Sequence, residues 1–242
     1  MLRRVFGKTP AIAAALGLAF ALVLTGCDGG GGGLPTHWGE TMRLTGQVFT
    51  VTENDDDMPT FAQFNADRTV IASAGELTGG ITGGRLDITV GRPTAAQLET
   101  PPNLGQFFSN FAERDDITAV PNEGVSVTVL GLTAGGEPLS RGNFTGSESA
   151  TGYSLNIEGT MFIFVSQQVV VSAEGFSGTE DGVAYNYRAF NLTLSEGWNA
   201  ISTRFETSFN FENNTGTYTV ATSRGQSGRW ILDFDFFDLL DD

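Results

Sequence analysis

Phe190-Asn191-Leu192-Thr193-Leu194-Ser195-Glu196-Gly197-Trp198-Asn199 is the stretch that decides the fold of this chain. Phe190, Leu192 and Leu194 alternate with Asn191 and Thr193, the period of two that sends apolar side chains to one face of a half-buried strand. Glu196-Gly197 separates this run from a second β-prone one. Glycine supplies the positive φ of a tight loop, so a hairpin is expected here. Trp198 opens the second strand, and its indole is expected in the core, with an exposed platform for stacking on a sugar as the alternative.

The same period recurs on both sides. Val125, Val127 and Val129 alternate with Ser126 and Thr128, and Trp230, Leu232, Phe234 and Phe236 stand opposite Asp233 and Asp235. Residues 42–52 are β-rich and run into the polar break Glu53-Asn54-Asp55-Asp56-Asp57. Residues 69–74 and 85–90 are short β-prone segments around the turns Gly79-Gly80 and Gly83-Gly84. One stretch departs from this: after Pro101-Pro102, Leu104, Phe107, Phe108 and Phe111 stand at i, i+3, i+4 and i+7, the spacing of one helical face. A short helix closing an open end of a sheet is expected there. The fold class is therefore all-β: one or two antiparallel β-sandwich domains with a short helix. Residues 41–134 and 135–242 form two domains divided between Ala134 and Pro138, or run as one continuous domain.

The N-terminus has a different grammar. Arg3, Arg4 and Lys8 precede an apolar run of about 14 residues, and small residues then lead to the only cysteine in Leu24-Thr25-Gly26-Cys27. A transmembrane helix needs roughly 20 apolar residues, so the run is too short to span a bilayer and reads as an export signal, residues 1–26. Leu24-Thr25-Gly26-Cys27 resembles the bacterial lipobox. The resemblance implies diacylglycerol transfer to the Cys27 sulfur, cleavage before it and acylation of the new amino group. One acyl chain binds a membrane marginally and two or three hold a protein there, so the expected location is the bacterial cell envelope, on its periplasmic face or at the cell surface. Asp28 follows the cysteine, the position that retains lipoproteins in the inner membrane of enteric bacteria. Residues 27–40 carry Gly29 to Gly33 and Pro35, with little that is apolar, and read as a flexible tether with the folded body starting near Thr41.

Composition bounds the rest. Removing residues 1–26 from a chain of 242 leaves 216, and takes three of 13 basic residues and none of 28 acidic ones, for a net charge near −18. Such a surface repels phosphate backbones and anionic head groups, so nucleic acid is not an expected partner. With one cysteine there is no internal disulfide, and stability rests on apolar burial, to which 19 phenylalanines contribute.

Two further resemblances rest on quoted residues. Leu44-Thr45-Gly46-Gln47-Val48 and Gly84-Arg85-Leu86-Asp87-Ile88-Thr89-Val90, within residues 44–90, are similar to transthyretin-like or carboxypeptidase-regulatory-like β-sandwich modules of secreted bacterial proteins. Residues 162–174 with 185–199, including Leu194-Ser195-Glu196-Gly197-Trp198-Asn199, resemble a recurrent segment of uncharacterised lipoproteins from spirochaetes and the Deinococcus group. This second resemblance transfers no catalytic residue.

Catalytic chemistry is narrowed by what residue types remain. The only histidine, His37, falls in the tether, which excludes a Ser-His-Asp triad or a Cys-His pair within the body. Gly225-Gln226-Ser227-Gly228 falls short of a nucleophile elbow, and the cluster 79–84 lacks the lysine of a P-loop. Zinc sites of histidine and cysteine are closed. Lysine chemistry is closed too, since Lys8 leaves with the signal. Paired carboxylates survive as a glycosidase device, with Asp233 and Asp235 the pair to watch. Calcium survives at Glu53, Asn54, Asp55, Asp56 and Asp57, whose oxygens share one loop without EF-hand spacing; a solvated hairpin tip is the plainer reading. The expected function is that of a lipid-anchored envelope protein with a non-catalytic binding, adhesion or structural role, taking an envelope protein or a glycan as partner and no cofactor. The rivals are a carbohydrate-active hydrolase and an accessory subunit of an envelope complex.

Overall fold

The computed structural model describes residues 35–53, 59–112 and 116–233. Cys27, the signal, the tether through residue 34, Asn54 to Asp57 and Phe234 to Phe236 lie outside the described residues. In chain order the strands are β1 (His37–Gly39), β2 (Met42–Glu53), β3 (Pro59–Gln63), β4 (Val70–Ala72), β5 (Leu77–Thr82) and β6 (Arg85–Val90). Helix α1 (Leu104–Ala112) and strands β7 (Ile117–Val120), β8 (Val127–Val129), β9 (Leu132–Ala134), β10 (Glu137–Ser149) and β11 (Gly152–Val165) follow. The chain continues through β12 (Val169–Ala173), β13 (Phe176–Glu180), β14 (Val183–Tyr187), β15 (Phe190–Leu194), β16 (Gly197–Asn210), β17 (Thr215–Arg224) and β18 (Arg229–Leu232). The all-β class stands.

Fifteen strands belong to one sheet, ordered β13-β14-β17-β16-β11-β10-β18-β2-β6-β5 with the short strands attached to its flanks, and β15-β12-β7 form a second, three-stranded sheet. Pairing is antiparallel except for β14 on β17 and β18 on β2, which are parallel. The small sheet and α1 cover one end of the large one. Ile163, Val165, Ile201, Val171, Leu192, Ala119, Leu104 and Phe108 share that core. The helix forms where the spacing predicts it. Asn103 caps it, its Oδ1 accepting from Gln106 N at 2.8 Å, while Asn122 O accepts from Leu104 N at 2.8 Å and Asn122 Oδ1 from Gly105 N at 2.7 Å. A second core holds Trp198, Trp230, Phe162 and Phe164 with the inner faces of β2 and β6, and a third holds Phe144, Ile157, Phe205, Phe209 and Ile231.

Three expectations are corrected. The run 190–194 and the strand after Gly197 are not a hairpin: β15 pairs with β12 in the small sheet, whereas β16 pairs with β11, β17 and β1 in the large one. Ser195-Glu196 is a corner between sheets. Local alternation specifies which face is apolar but not which strand lies alongside. The tether does not reach residue 40, because His37↔Asn199 and Gly39↔Trp198 pair, Thr36 O accepts from Ala200 N at 3.0 Å, and Trp38 packs edge-on against Phe162.

Residues 134–138, where the alternative of two domains would place their division, form a two-residue hairpin. Ala134 pairs with Glu137 around Gly135 (φ 65°) and Gly136 (φ 93°), a left-handed pair that only glycine adopts cheaply. Last, β18 is buried on both faces: Trp230 and Leu232 enter one core and Ile231 the other. Among the described residues it runs to Leu232, and Asp233 after it is exposed at φ 56°.

Candidate binding surface

Trp198 is no sugar platform. Its side chain is wholly buried, its ring meets Phe164 edge-on at 5.5 Å, and its Nε1 donates to Gly91 O at 3.0 Å. The corner before it explains why Ser195 to Asn199 have the residues they do. Asn199, also fully buried, accepts from Ser195 N at 3.0 Å and donates to Ser195 O at 2.7 Å and Gly197 O at 2.9 Å, satisfying the turn's backbone. Gly197 sits at φ 102°, and a Cβ there would lie 2.2 Å from Gly39 O. That motif is structural.

The acidic loop falls at the tip between β2 and β3, which pair from Glu53↔Pro59 inward. The Glu53 side chain, Asn54, Asp55, Asp56 and Asp57 lie outside the described residues. Among the described residues no three histidine, cysteine, aspartate or glutamate side chains converge as a metal would require. Asp233 is exposed past its strand, and Asp235 lies outside the described residues. His37 belongs to β1, where Nε2 donates to Glu196 O at 2.6 Å and ties the N-terminal strand to the corner.

Two carboxylates do face one groove. Asp67, Arg68, Thr69, Gly80, Arg85 and Asp87 are among the residues that line an open depression of about 750 Å³. Arg43 grips Asp87 bidentately, Nε to Oδ1 at 2.9 Å and Nη2 to Oδ2 at 2.7 Å. That hydrogen bonding, and then the guanidinium's charge, hold the Asp87 carboxyl below its ordinary range, and raise Arg43 in turn. Asp87 therefore serves as an acceptor for Arg43 and does not suit the protonated half of a carboxylate pair.

The other end of the sheet is aromatic. β13 is its outermost strand, joined to β14 by a two-residue turn, and the pair brings Phe176 against Tyr187 with centroids 4.5 Å apart and planes 11° apart. Tyr185 lies across Gly178: a Cβ on that glycine would sit 2.2 Å from the tyrosine hydroxyl oxygen. The row continues inward, Tyr187 to Tyr218 at 5.8 Å and Tyr218 to Phe205 at 6.2 Å. At the adjoining strand ends, Tyr153 stacks on Phe209 at 6.2 Å, and Phe209 meets Phe211 at 5.9 Å. Burial pushes the Tyr153 hydroxyl up, against a hydrogen bond to Thr207 that draws it down, so it stays protonated at neutral pH.

Phe176 is 46% exposed and Phe211 39%, unusual for side chains that bury so much area elsewhere in the chain. An edge strand carrying exposed aromatic faces suits stacking on the apolar face of a sugar ring, or addition of an extended peptide. Sequence reasoning passed over Phe176, Tyr185 and Tyr187. The signal was present, as tyrosines two apart in a strand opposite a glycine, but only cross-strand register brings them together. Comparison with protein-family models, with curated proteins and with solved structures finds no match for this chain.

Proposed function

We propose that this chain is a lipid-anchored protein of the bacterial envelope whose β body binds a partner without catalysing a reaction, through the aromatic flank of β13, β14 and β17. The observation that carries the binding role is the exposed Phe176 ring stacked on Tyr187 at the open edge of the large sheet. The lipobox ending at Cys27 supports the anchor. Buried aromatic rows are ordinary core, whereas a row that runs out to an edge with no partner strand among the described residues leaves area that a glycan or an envelope protein covers. Against the hydrolase reading stands the exposure of both groove carboxylates, Asp67 and Asp87, neither of which has the buried setting of a glycosidase's acid.

The test uses full-length lipidated protein and two probes, purified peptidoglycan sacculi and detergent-solubilised envelope proteins. Retention on one of them is expected, weakened about tenfold or more by Phe176→Ala or Tyr187→Ala while the melting temperature changes little. Retention unchanged in both variants removes the aromatic flank from the proposal, and release of soluble sugar from sacculi by the parent replaces binding with hydrolysis. Cys27→Ser is expected to abolish lipidation and leave an unprocessed precursor. Lipid still attached to a mature-size product would overturn the anchor.

A further inference from the structure

Resting on the lipid anchor just proposed, we infer that the body stands on the membrane in one orientation, with the corner around β1 facing the head groups and the far rim of hairpin turns facing away. The corner is where the chain enters the fold. Gln226 Nε2 donates to Pro35 O at 2.9 Å, Ala200 N to Thr36 O at 3.0 Å and His37 Nε2 to Glu196 O at 2.6 Å. These bonds fasten the chain from Pro35 onward, so eight residue steps, not fourteen, separate Cys27 from the body. Eight steps reach at most about 30 Å whatever their conformation.

The rim lies at the opposite end of the longest strands. β16 has 14 residues and begins at the corner with Gly197, which places its far end about 40 Å away. There the turns at residues 149–152, 180–183 and 210–215 meet: Phe211 N donates to Thr151 O at 2.8 Å and Gly216 N to Gly182 O at 3.0 Å. To press this rim onto the bilayer the corner would have to rise about 40 Å, which an eight-step tether does not allow. Fourteen free steps, reaching about 50 Å, would have allowed it. The fastening of β1 is thus what removes the inverted orientation.

Two orientations remain, upright and lying, and charge separates them. The rim carries Glu148, Glu180, Asp181 and Glu212 with no lysine or arginine in its three turns. The corner is near balance, with Glu40 paired to Arg92 at 2.7 Å, and with Glu196, Arg224 and His37 beside it. Anionic head groups repel the rim within a Debye length of about 8 Å and leave the corner indifferent, so the body stands upright.

The body has no cysteine of its own, so a single introduced thiol reports position cleanly. Full-length lipidated protein carrying Glu196→Cys at the corner, or Ala150→Cys at the rim, both exposed positions, is labelled with a fluorophore. It is then bound to vesicles of phosphatidylcholine and phosphatidylglycerol containing a lipid with a nitroxide on its head group. Vesicle flotation is measured on the same samples. Strong quenching at position 196 and little at 150 is expected. Comparable quenching at both positions in protein that floats, or stronger quenching at 150, overturns the orientation and leaves the anchor standing. Protein that does not float overturns the anchor and the orientation with it.

Discussion

Asn199 closes the corner at which the chain leaves the small sheet for the large one, and its three hydrogen bonds are made in complete burial. Asn199→Ala removes all three of these bonds from the turn at once. A loss of about 2–4 kcal/mol is expected, read as a lower urea midpoint at constant slope. Two residues earlier, Gly197→Ala meets both a left-handed backbone and Gly39 O at 2.2 Å. It is expected to cost more than about 2 kcal/mol and to expose residues 35–40 to protease, because β1 must lift to admit the methyl. Asp87 gives a pH dependence of known sign. Its folded carboxyl is held below its unfolded value, so the stability it contributes is intact above the ordinary carboxylate range and is lost as pH falls through the folded value. Arg43 and Asp87 are both largely exposed, so the effect is small and fades in salt.

Among the elements, β1 is short and covers only the start of β16, at Trp198 and Asn199. Trp38 meets Phe162 at 6.0 Å in the core that also holds Trp198 and Trp230, so a chain beginning at Thr41 loses an aromatic contact and uncovers the Trp198 corner. It is expected to melt several degrees below a chain beginning at Pro35, as differential scanning calorimetry would record. The helix answers to the same logic: Phe108 is 3% exposed, and Phe108→Ala is expected to cost about 3–5 kcal/mol. β13 behaves differently, because its aromatic faces border solvent. Substitutions there are expected to alter binding before they alter stability.

For the molecule as a whole, the decisive contact joins its ends. Trp230 pairs with Val48 and Leu232 with Thr50, so β18 inserts between β2 and β10 and gives residues 48–50 and 139–142 a strand partner on that side. A chain ending at Gly228 is therefore expected to be insoluble or to aggregate on refolding, as sedimentation would show. The same long-range pairing makes folding of the intact protein slow, with a refolding phase of milliseconds to seconds or longer by tryptophan fluorescence.

What the sequence by itself determined is local. The β-rich runs at 42–52 and 85–90, the alternation at 190–194 and the i, i+3, i+4 spacing from Leu104 depend on a residue's near neighbours, so the all-β class and the helix from Leu104 were legible. The tertiary structure decided everything that depends on a partner strand. Gly197 marks a turn in either case, yet only pairing says that the turn joins two sheets; Trp198 is buried only because Phe164 and Gly91 lie over it. Gly135-Gly136 reads equally as a linker or a hairpin until Ala134 meets Glu137. The candidate surface belongs to this second kind, since Phe176 and Tyr187 become a stacked pair through register alone. The physical reason is that a period of two specifies which face of a strand is apolar, while burial against a particular neighbour is settled by contacts between residues far apart in the chain.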